Sequence, residues 1–154
     1  MPRYMLDTNI RIYLMKNQPE QVARRFAGCY VGDVVMSAIT FAELDYGVSA
    51  SDDPERERAN LDALSRLITV EPFDAFAAPA YGPVRMATRE RKRDHLDKLI
   101  ASHAIALNTV LVTNNLRDFV TYPGLTAENW LEAIPKSWRN RAESRARPFQ
   151  QSHR

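Results

Sequence analysis

The chain has 154 residues and a mass of 17.6 kDa, which is the size of a single domain. With 45% hydrophobic and 26% charged residues it can bury a substantial core, which excludes global disorder. The formal net charge is only +2, and one cysteine with three histidines excludes both an internal disulfide and a four-ligand structural zinc site.

Short apolar runs alternate with longer segments of helical period, a pattern typical of an α/β domain with a parallel sheet. The predicted strands of the first half lie at residues 3–6, 34–38 and 69–73. The predicted helices of that half lie at residues 10–15, around 22–26, from 41 onward and from 53 to about 68. Asp53 followed by Pro54 is typical of a helix N-terminus.

The second half continues the same alternation. Asp74 is predicted to cap a helix with an apolar stripe from Phe76 to Val84. The later features are a charge-dense segment at 85–94, a helix with a stripe at Leu96, Leu99, Ile100, Ala104 and Leu107, the clearest strand at 109–113, a turn at 123–124 and a short element at 127–134.

The two ends of the chain indicate its organisation. Asp7 and Arg11 interrupt the apolar start, and no run approaches the roughly 18 apolar residues of a membrane span, so we expect no signal peptide, no membrane contact and a cytoplasmic protein. Residues 136–154 contain six basic residues and one acidic residue. We expect one domain over residues 1–135 and, over 136–154, a basic flexible extension or an arm ordered only on a partner.

Asp7 follows the first predicted strand directly. Ligands of parallel sheets bind outside the carboxyl ends of the strands, so Asp7 is a candidate site residue. The alternative is a helix N-cap, because Asp-Thr-Asn is good capping material.

Three further acids are candidates, each with a structural alternative. Apolar residues three, four and seven positions after Asp97 direct it to the buried side of its helix, where it needs a cation, a metal or a raised pKa. The alternatives for Asp97 are a salt bridge to a nearby arginine or a capping role with Asp94. Glu43 fits a capping box that starts at Thr40, and Asp118 fits a solvated loop after the clearest strand.

Together the four acids are expected at strand ends or a helix start on one rim of the sheet. Four such carboxylates cannot all stay charged without a cation between them, and oxygen ligands favour Mg²⁺ or Mn²⁺ over zinc. Acidic clusters with a hard metal suit phosphoryl chemistry.

Four motifs carry a resemblance to a known family: MLDTNI at 5–10, SAITFAEL at 37–44, LDKLIASHA at 96–104 and LVTNNLRDF at 111–119. In order and spacing they resemble the motifs of PIN-domain ribonucleases of the VapC toxin type, over roughly residues 4–134. The resemblance implies a three-layer α/β/α fold with a mainly parallel central sheet and an acidic pocket for Mg²⁺ or Mn²⁺. It also implies endonucleolytic cleavage of RNA, with tRNA as the substrate class, a homodimer, and a VapB antitoxin that neutralises the toxin and provides an indirect contact to operator DNA.

The resemblance also assigns roles to residues. Asp7 and Asp97 would be metal ligands, and Glu43 would act on the metal or its water. Asp118 is favoured as the fourth ligand, with Asn115 beside it as a supporting donor or as the alternative ligand. The residues expected to orient carboxylates and water are Thr8, Asn9 and Thr113. Water would attack the scissile phosphate in line and leave 3′-hydroxyl and 5′-phosphate ends.

The segment 89–95 departs from the family, in which many relatives have a glycine and an apolar residue there. The residues expected to contact RNA phosphates are Arg89, Arg91, Lys92, Arg93 and Lys98. The alternative is an exposed helical face. The extension at 136–154 would add phosphate contacts or be a disordered end.

Two rival functions remain. A phosphatase with Asp7 as covalent nucleophile needs a second acid two residues later, where this chain has Asn9. A PIN-like module that binds RNA or protein without cleaving it would use the same acidic rim and basic tail.

Overall fold

Five strands and six α-helices form the described part of the chain, which is residues 1–8 and 20–130 of a computed structural model. The strands are Tyr4–Leu6 (β1), Val34–Ser37 (β2), Thr69–Glu71 (β3), Val110–Val112 (β4) and Thr126–Glu128 (β5). The α-helices are Glu20–Ala27 (α1), Ala38–Ser49 (α2), Pro54–Leu67 (α3), Tyr81–Ala87 (α4), His95–Ala106 (α5) and Leu116–Phe119 (α6), with a 3₁₀ turn at Ala78–Ala80.

The sheet has the strand order β3-β2-β1-β4-β5, and all of its pairings are parallel. This confirms the predicted α/β class. The chain builds outward from β1 through β2 to β3, then returns to place β4 on the other side of β1. The strand order therefore reverses between β1 and β4, the point where open α/β sheets bind ligands at their carboxyl ends.

Alternating residues of the central strands send side chains to two separate cores. One core cluster includes Leu6, Met36, Val112, Val48 of α2 and Leu61 of α3. The other includes Met5, Val35, Leu111, Ile100 of α5 and Phe119 of α6. Both faces of a parallel sheet must be covered by helices, and these clusters cover both. The three-layer α/β/α prediction is confirmed.

The predicted start of α2 is wrong. The helix begins at Ala38, because the Ser37 side chain caps it by accepting a hydrogen bond from the Ile39 amide at 3.1 Å. Thr40 is consequently inside the helix and 1% exposed, so the expected capping box between Thr40 and Glu43 does not form. Glu43 therefore takes no part in capping α2 and lies in the second turn of this helix.

The predicted apolar stripe of α5 is only partly right. Ile100 and Ala104 are buried as expected, but Leu96 is 48% exposed. The buried position near the helix start is taken by Lys98 instead, whose side chain is bound within the protein. A charged residue thus replaces the expected leucine at the beginning of the buried face.

The helix predicted after Asp74 begins later than expected: α4 starts at Tyr81, because the chain first forms the 3₁₀ turn at Ala78–Ala80, and Phe76 of the predicted stripe lies before both and is 71% exposed. Most of the other boundaries agree with the predictions within two or three residues. Asp53 caps α3, and the Asp74 carboxylate accepts hydrogen bonds from the Phe76 and Ala77 amides before the 3₁₀ turn. Gly124 has a φ of 81°, which the predicted turn at 123–124 requires of it.

Some predictions fall outside the described residues. They are the helix at 10–15, the position of Asn9, the part of the last element after residue 130 and the extension at 136–154. No helix in residues 1–8 and 20–130 is long and apolar enough to cross a membrane.

Replacing Asp53 by alanine should lower the free energy of unfolding by about 1 kcal/mol, since the Arg56 amide loses its acceptor at 3.2 Å. Chemical denaturation of the purified protein would measure it. Asp52→Ala is the matched control, because Asp52 is the exposed neighbour that does not cap the helix. An equal loss in both variants would contradict the capping role.

Candidate active site

Asp7 lies where β1 ends and is only 4% exposed. The Thr113 hydroxyl, at the end of β4, donates to Asp7 Oδ2 at 2.8 Å, and the Thr8 amide donates to Oδ1 at 2.7 Å. Burial raises the pKa of Asp7, and these two hydrogen bonds oppose that effect. The carboxylate is thus held by one donor on each oxygen. Whether it also caps a helix depends on residues outside the described part.

Glu43 is directed toward the same strand end. The Thr8 hydroxyl donates to Glu43 Oε1 at 3.3 Å, so Thr8 contacts both acids. Burial raises the pKa of Glu43, the bond from Thr8 lowers it, and the nearby Asp7 charge raises it again. Glu43 and Asp7 therefore lie close enough for the charge of one to affect the other, and Thr8 contacts both.

Asp97 lies in the first turn of α5 and is half-buried. Burial, followed by repulsion from Asp7, Glu43, Asp94 and Asp118, raises its pKa to about 6. Within residues 1–8 and 20–130, its carboxylate has no hydrogen bond or ion pair. The expected alternative of a salt bridge to an arginine is therefore wrong there, because Arg91 pairs with Asp94.

Asp118 and Asn115 lie next to each other at the start of α6. Asn115 Nδ2 donates to Asp118 Oδ2 at 2.7 Å, and the Asn115 amide donates to the Thr113 hydroxyl at 3.0 Å. A continuous chain of hydrogen bonds therefore runs from Asp118 through Asn115 and Thr113 to Asp7. Asp97 and Asp118 also line one pocket of about 550 Å³, together with residues 90–94.

Residues 4–125 match the PIN domain family. The chain is 39% identical over 132 residues to the tRNA(fMet)-specific endonuclease VapC of Shigella flexneri, covering 84% of this chain and 99% of that protein. It is 40% identical over 131 residues to ribonuclease VapC2 of Rickettsia felis, covering 82% of this chain and 97% of that protein.

This chain belongs to the VapC family of PIN-domain proteins. The solved structures similar to it include DNA-bound VapBC from Salmonella typhimurium, with a TM-score of 0.77 and 37% identity over 84% of this chain and 99% of that one. VapBC2 from Rickettsia felis, bound to a DNA fragment from its promoter, has a TM-score of 0.74 and 36% identity over 82% of this chain and 98% of that one.

The donor chemistry of this VapC site suits a hard cation. Asp7, Glu43, Asp97 and Asp118 offer only oxygen ligands. Burial, followed by repulsion from the other acids, raises the pKa of Asp97. In the described residues no three Asp, Glu, His or Cys side chains are already grouped as a metal site. The oxygen ligands present suit a divalent cation whose coordination is completed by waters and substrate phosphates.

The basic residues divide into two groups. The expectation that Lys98 contacts RNA is wrong, because its side chain is 1% exposed and its Nζ donates to the carbonyl oxygens of Thr88 at 3.0 Å and Arg91 at 2.6 Å. Arg91 is likewise engaged inside the protein, with Asp94 and the loop after α6. The exposed basic residues of this segment are Arg89, Lys92 and Arg93, the last two of which line the pocket.

The sequence did not predict a role for His103, a buried residue that helps to hold one of the helices of the site. Its Nδ1 lies 2.7 Å from the Ser37 hydroxyl, and burial lowers its pKa. Since Ser37 caps α2, His103 of α5 contributes to the position of the helix that carries Glu43. The sequence indicates burial of His103, because this residue lies six residues after Asp97 among the small residues Ala101, Ser102 and Ala104.

Asp97→Asn should stabilise the metal-free protein at neutral pH. The folded-state pKa of about 6 lies above the ordinary value of 3.8, so the folded form binds more protons than the unfolded form between these pH values and loses stability as the pH rises through them. After allowance for solvent screening we expect a gain of about 1 kcal/mol at pH 8 that disappears near pH 4.

Thermal unfolding in EDTA at both pH values would measure this gain. Asp62→Asn, an exposed aspartate on α3, is the control. An Asp97→Asn protein that melts at or below the wild-type temperature at pH 8 would refute the repulsion argument.

Proposed function

We propose that this chain is a metal-dependent endoribonuclease and the toxin of a toxin–antitoxin pair, with tRNA as its substrate class. The observation that carries the proposal is the grouping of Asp7, Glu43, Asp97 and Asp118 around the carboxyl end of the sheet. Thr8 contacts both Asp7 and Glu43, and a chain of hydrogen bonds links Asp7 to Asp118. Burial, followed by repulsion from the other acids, raises the pKa of Asp97 to about 6. The names of the VapC relatives, ribonuclease and tRNA(fMet)-specific endonuclease, support the reaction and the substrate class.

In this mechanism the protein side chains orient the reaction rather than form a bond with RNA. Asp7 and Asp97 are the proposed metal ligands, and the Thr113 and Thr8 donors hold the two oxygens of Asp7 in fixed directions. Glu43, tethered by Thr8, faces the same space and is placed to order water or accept its proton. When bound, Mg²⁺ or Mn²⁺ supplies a Lewis acid that offsets the charge developing on the scissile phosphate.

The fourth acid would complete the same set. Asp118 is more exposed than Asp7, and Asn115 orients its Oδ2 while remaining bonded to Thr113. We assign Asp118 as the ligand and Asn115 as its supporting donor. In-line attack by water would leave 3′-hydroxyl and 5′-phosphate ends, and no covalent enzyme intermediate is required.

Positive charge next to the acids suits a polyanionic substrate. Lys92 and Arg93 line the pocket that contains Asp97 and Asp118, and Arg89 is exposed nearby. Contacts from such residues to phosphates would position RNA without reading its sequence. The basic extension at 136–154 would add to this attraction.

The partners follow from the same family membership. The similar solved structures include VapBC complexes, among them the two DNA-bound complexes described above, which supports a VapB-like antitoxin for this chain. We propose in addition a homodimer, an indirect contact to operator DNA through the antitoxin, and a cytoplasmic location where tRNA is available.

Purified protein free of antitoxin should cut tRNA into discrete fragments in Mg²⁺ or Mn²⁺ but not in EDTA. Asp7→Ala and Asp97→Asn should each lower the rate by about 100-fold or more, since losing a ligand should cost at least as much as losing a supporting contact. Gel analysis with total tRNA and rRNA measures this, with Asp52→Asn as an exposed control. RNA that is bound but stays intact with every metal would favour the non-cleaving module instead.

Lys92→Ala and Arg93→Ala should weaken RNA binding and reduce its salt dependence. Each lost phosphate contact is expected to lower the slope of log affinity against log salt by about 0.7 to 1. Binding is measured in an Asp7→Ala background so that RNA remains uncut. Arg66→Ala, on the exposed end of α3, is the matched control, and equal slopes in all variants would argue against pocket-side RNA contacts.

A further inference from the structure

Arg91 joins the two segments that carry Asp97 and Asp118. Its Nη1 donates to the Asp118 carbonyl oxygen at 3.2 Å and to the Thr121 hydroxyl at 2.5 Å. Its Nε lies 3.0 Å from Asp94 Oδ2, immediately before α5. One guanidinium therefore binds the loop after α6 and the residue that precedes the Asp97 helix.

Asp94 is held from the other side by two more residues. Lys98 Nζ lies 3.1 Å from Asp94 Oδ1, and the Tyr122 hydroxyl donates to Oδ2 at 2.6 Å. Burial alone would raise the pKa of Asp94, but the bonds from Tyr122 and Lys98 and the charge of Arg91 lower it. The Arg91 guanidinium also lies over the Tyr122 ring, 5.0 Å from its centroid. We call this group the clamp; it consists of Arg91, Asp94, Lys98 and Tyr122.

Stability alone is a weak explanation for the clamp. Taking a lysine and an aspartate out of water costs several kcal/mol per ion, and apolar replacements of similar volume are often at least as stable. Lys98 is nevertheless 1% exposed. The Asp94 side chain binds the other clamp residues and does not cap α5, although Asp94 is at the N-cap position. The arrangement is better explained by the segments that it holds together.

We propose that Arg91 is a positioning residue that, through the clamp, sets the separation of Asp97 and Asp118 for a divalent cation. Asp97 follows Asp94 by three residues in the first turn of α5, and the Asp118 backbone is bound by Arg91 directly. The inference rests on the proposed function, because it places Asp97 and Asp118 at the metal site.

The direction in which divalent-cation affinity changes when Arg91 is removed distinguishes a positioning role from a purely electrostatic one. Arg91 is a cation next to a cluster of carboxylates. If it acted only through its charge, removing it would make divalent cations bind more tightly, because a repulsive charge is lost. If it positions the ligands, removing it weakens binding in spite of that lost repulsion.

The experiment is a Mn²⁺ titration of the full-length, RNA-free protein, followed by the electron paramagnetic resonance signal of free Mn²⁺. Arg91→Ala should raise the dissociation constant about 10-fold, the size expected for residues that orient metal ligands. Arg91→Lys should also weaken binding, because lysine keeps the charge but not the planar fork. Arg117→Ala removes a charge next to Asp118 from an exposed side chain and should leave binding equal or tighter.

A double-mutant cycle tests the route of the effect. If Arg91 acts through Asp118, Arg91→Ala should change Mn²⁺ affinity much less in an Asp118→Asn background than in the wild type. Thermal melting in EDTA verifies folding of each variant. If Arg91→Ala does not fold, Arg91→Lys decides, and a wild-type affinity in that variant overturns the proposal.

The outcomes distinguish failure of the clamp proposal from failure of the proposed function. Wild-type protein that binds Mn²⁺ through Asp7 and Asp97, with unchanged or tighter binding in Arg91→Ala, overturns the clamp and leaves the proposed function intact. Wild-type protein whose Mn²⁺ binding is absent, or unaffected by Asp7→Ala and Asp97→Asn, overturns the proposed function and the clamp's role with it.

Discussion

The hydrogen bond from Thr113 to Asp7 joins the carboxyl ends of β1 and β4, the two parallel strands between which the strand order reverses, and the site is built around it. A carboxylate that is 4% exposed would be costly without donors, and hydrogen bonds to charged groups contribute about 1.5–3 kcal/mol each. The same two threonines continue outward, Thr113 to Asn115 and Thr8 to Glu43. Loss of the central bond would therefore affect Asn115 through Thr113 and Glu43 through Asp7 and Thr8.

The sequence was sufficient to predict the parallel α/β fold and the site position of Asp7, because both depend on local features: strand periodicity and an acid directly after a strand. Glu43 was harder to predict, since Thr40 and Glu43 match a capping box and only the Ser37 cap shows that the helix starts earlier. Lys98 could not be predicted, because burying a lysine requires acceptors from elsewhere. One of them, Asp94, is itself held by Tyr122, 28 residues away in the sequence.

The acids and the clamp have opposite electrostatic relations with their surroundings. Burial raises the pKa of Asp7, Glu43 and Asp97, and repulsion adds to this effect at Glu43 and Asp97. Hydrogen bonds and positive charges instead lower the pKa of Asp94 despite its burial. The Asp94 carboxylate is paired with the cations Arg91 and Lys98, whereas the carboxylate of Asp97 has no such partner in the described residues. Such a carboxylate is typical of binding sites, where stability is given up for function.

The burial of Lys98 has a consequence for the chemical reactivity of the chain. An acylating reagent that modifies the exposed amine of Lys92 has no access to Lys98 Nζ, which is enclosed by two carbonyl oxygens and a carboxylate. Acylation of Lys98 therefore requires the segment between Thr88 and Asp94 to open. The ratio of the two modification rates becomes a measure of how often this part of the folded chain opens on its own.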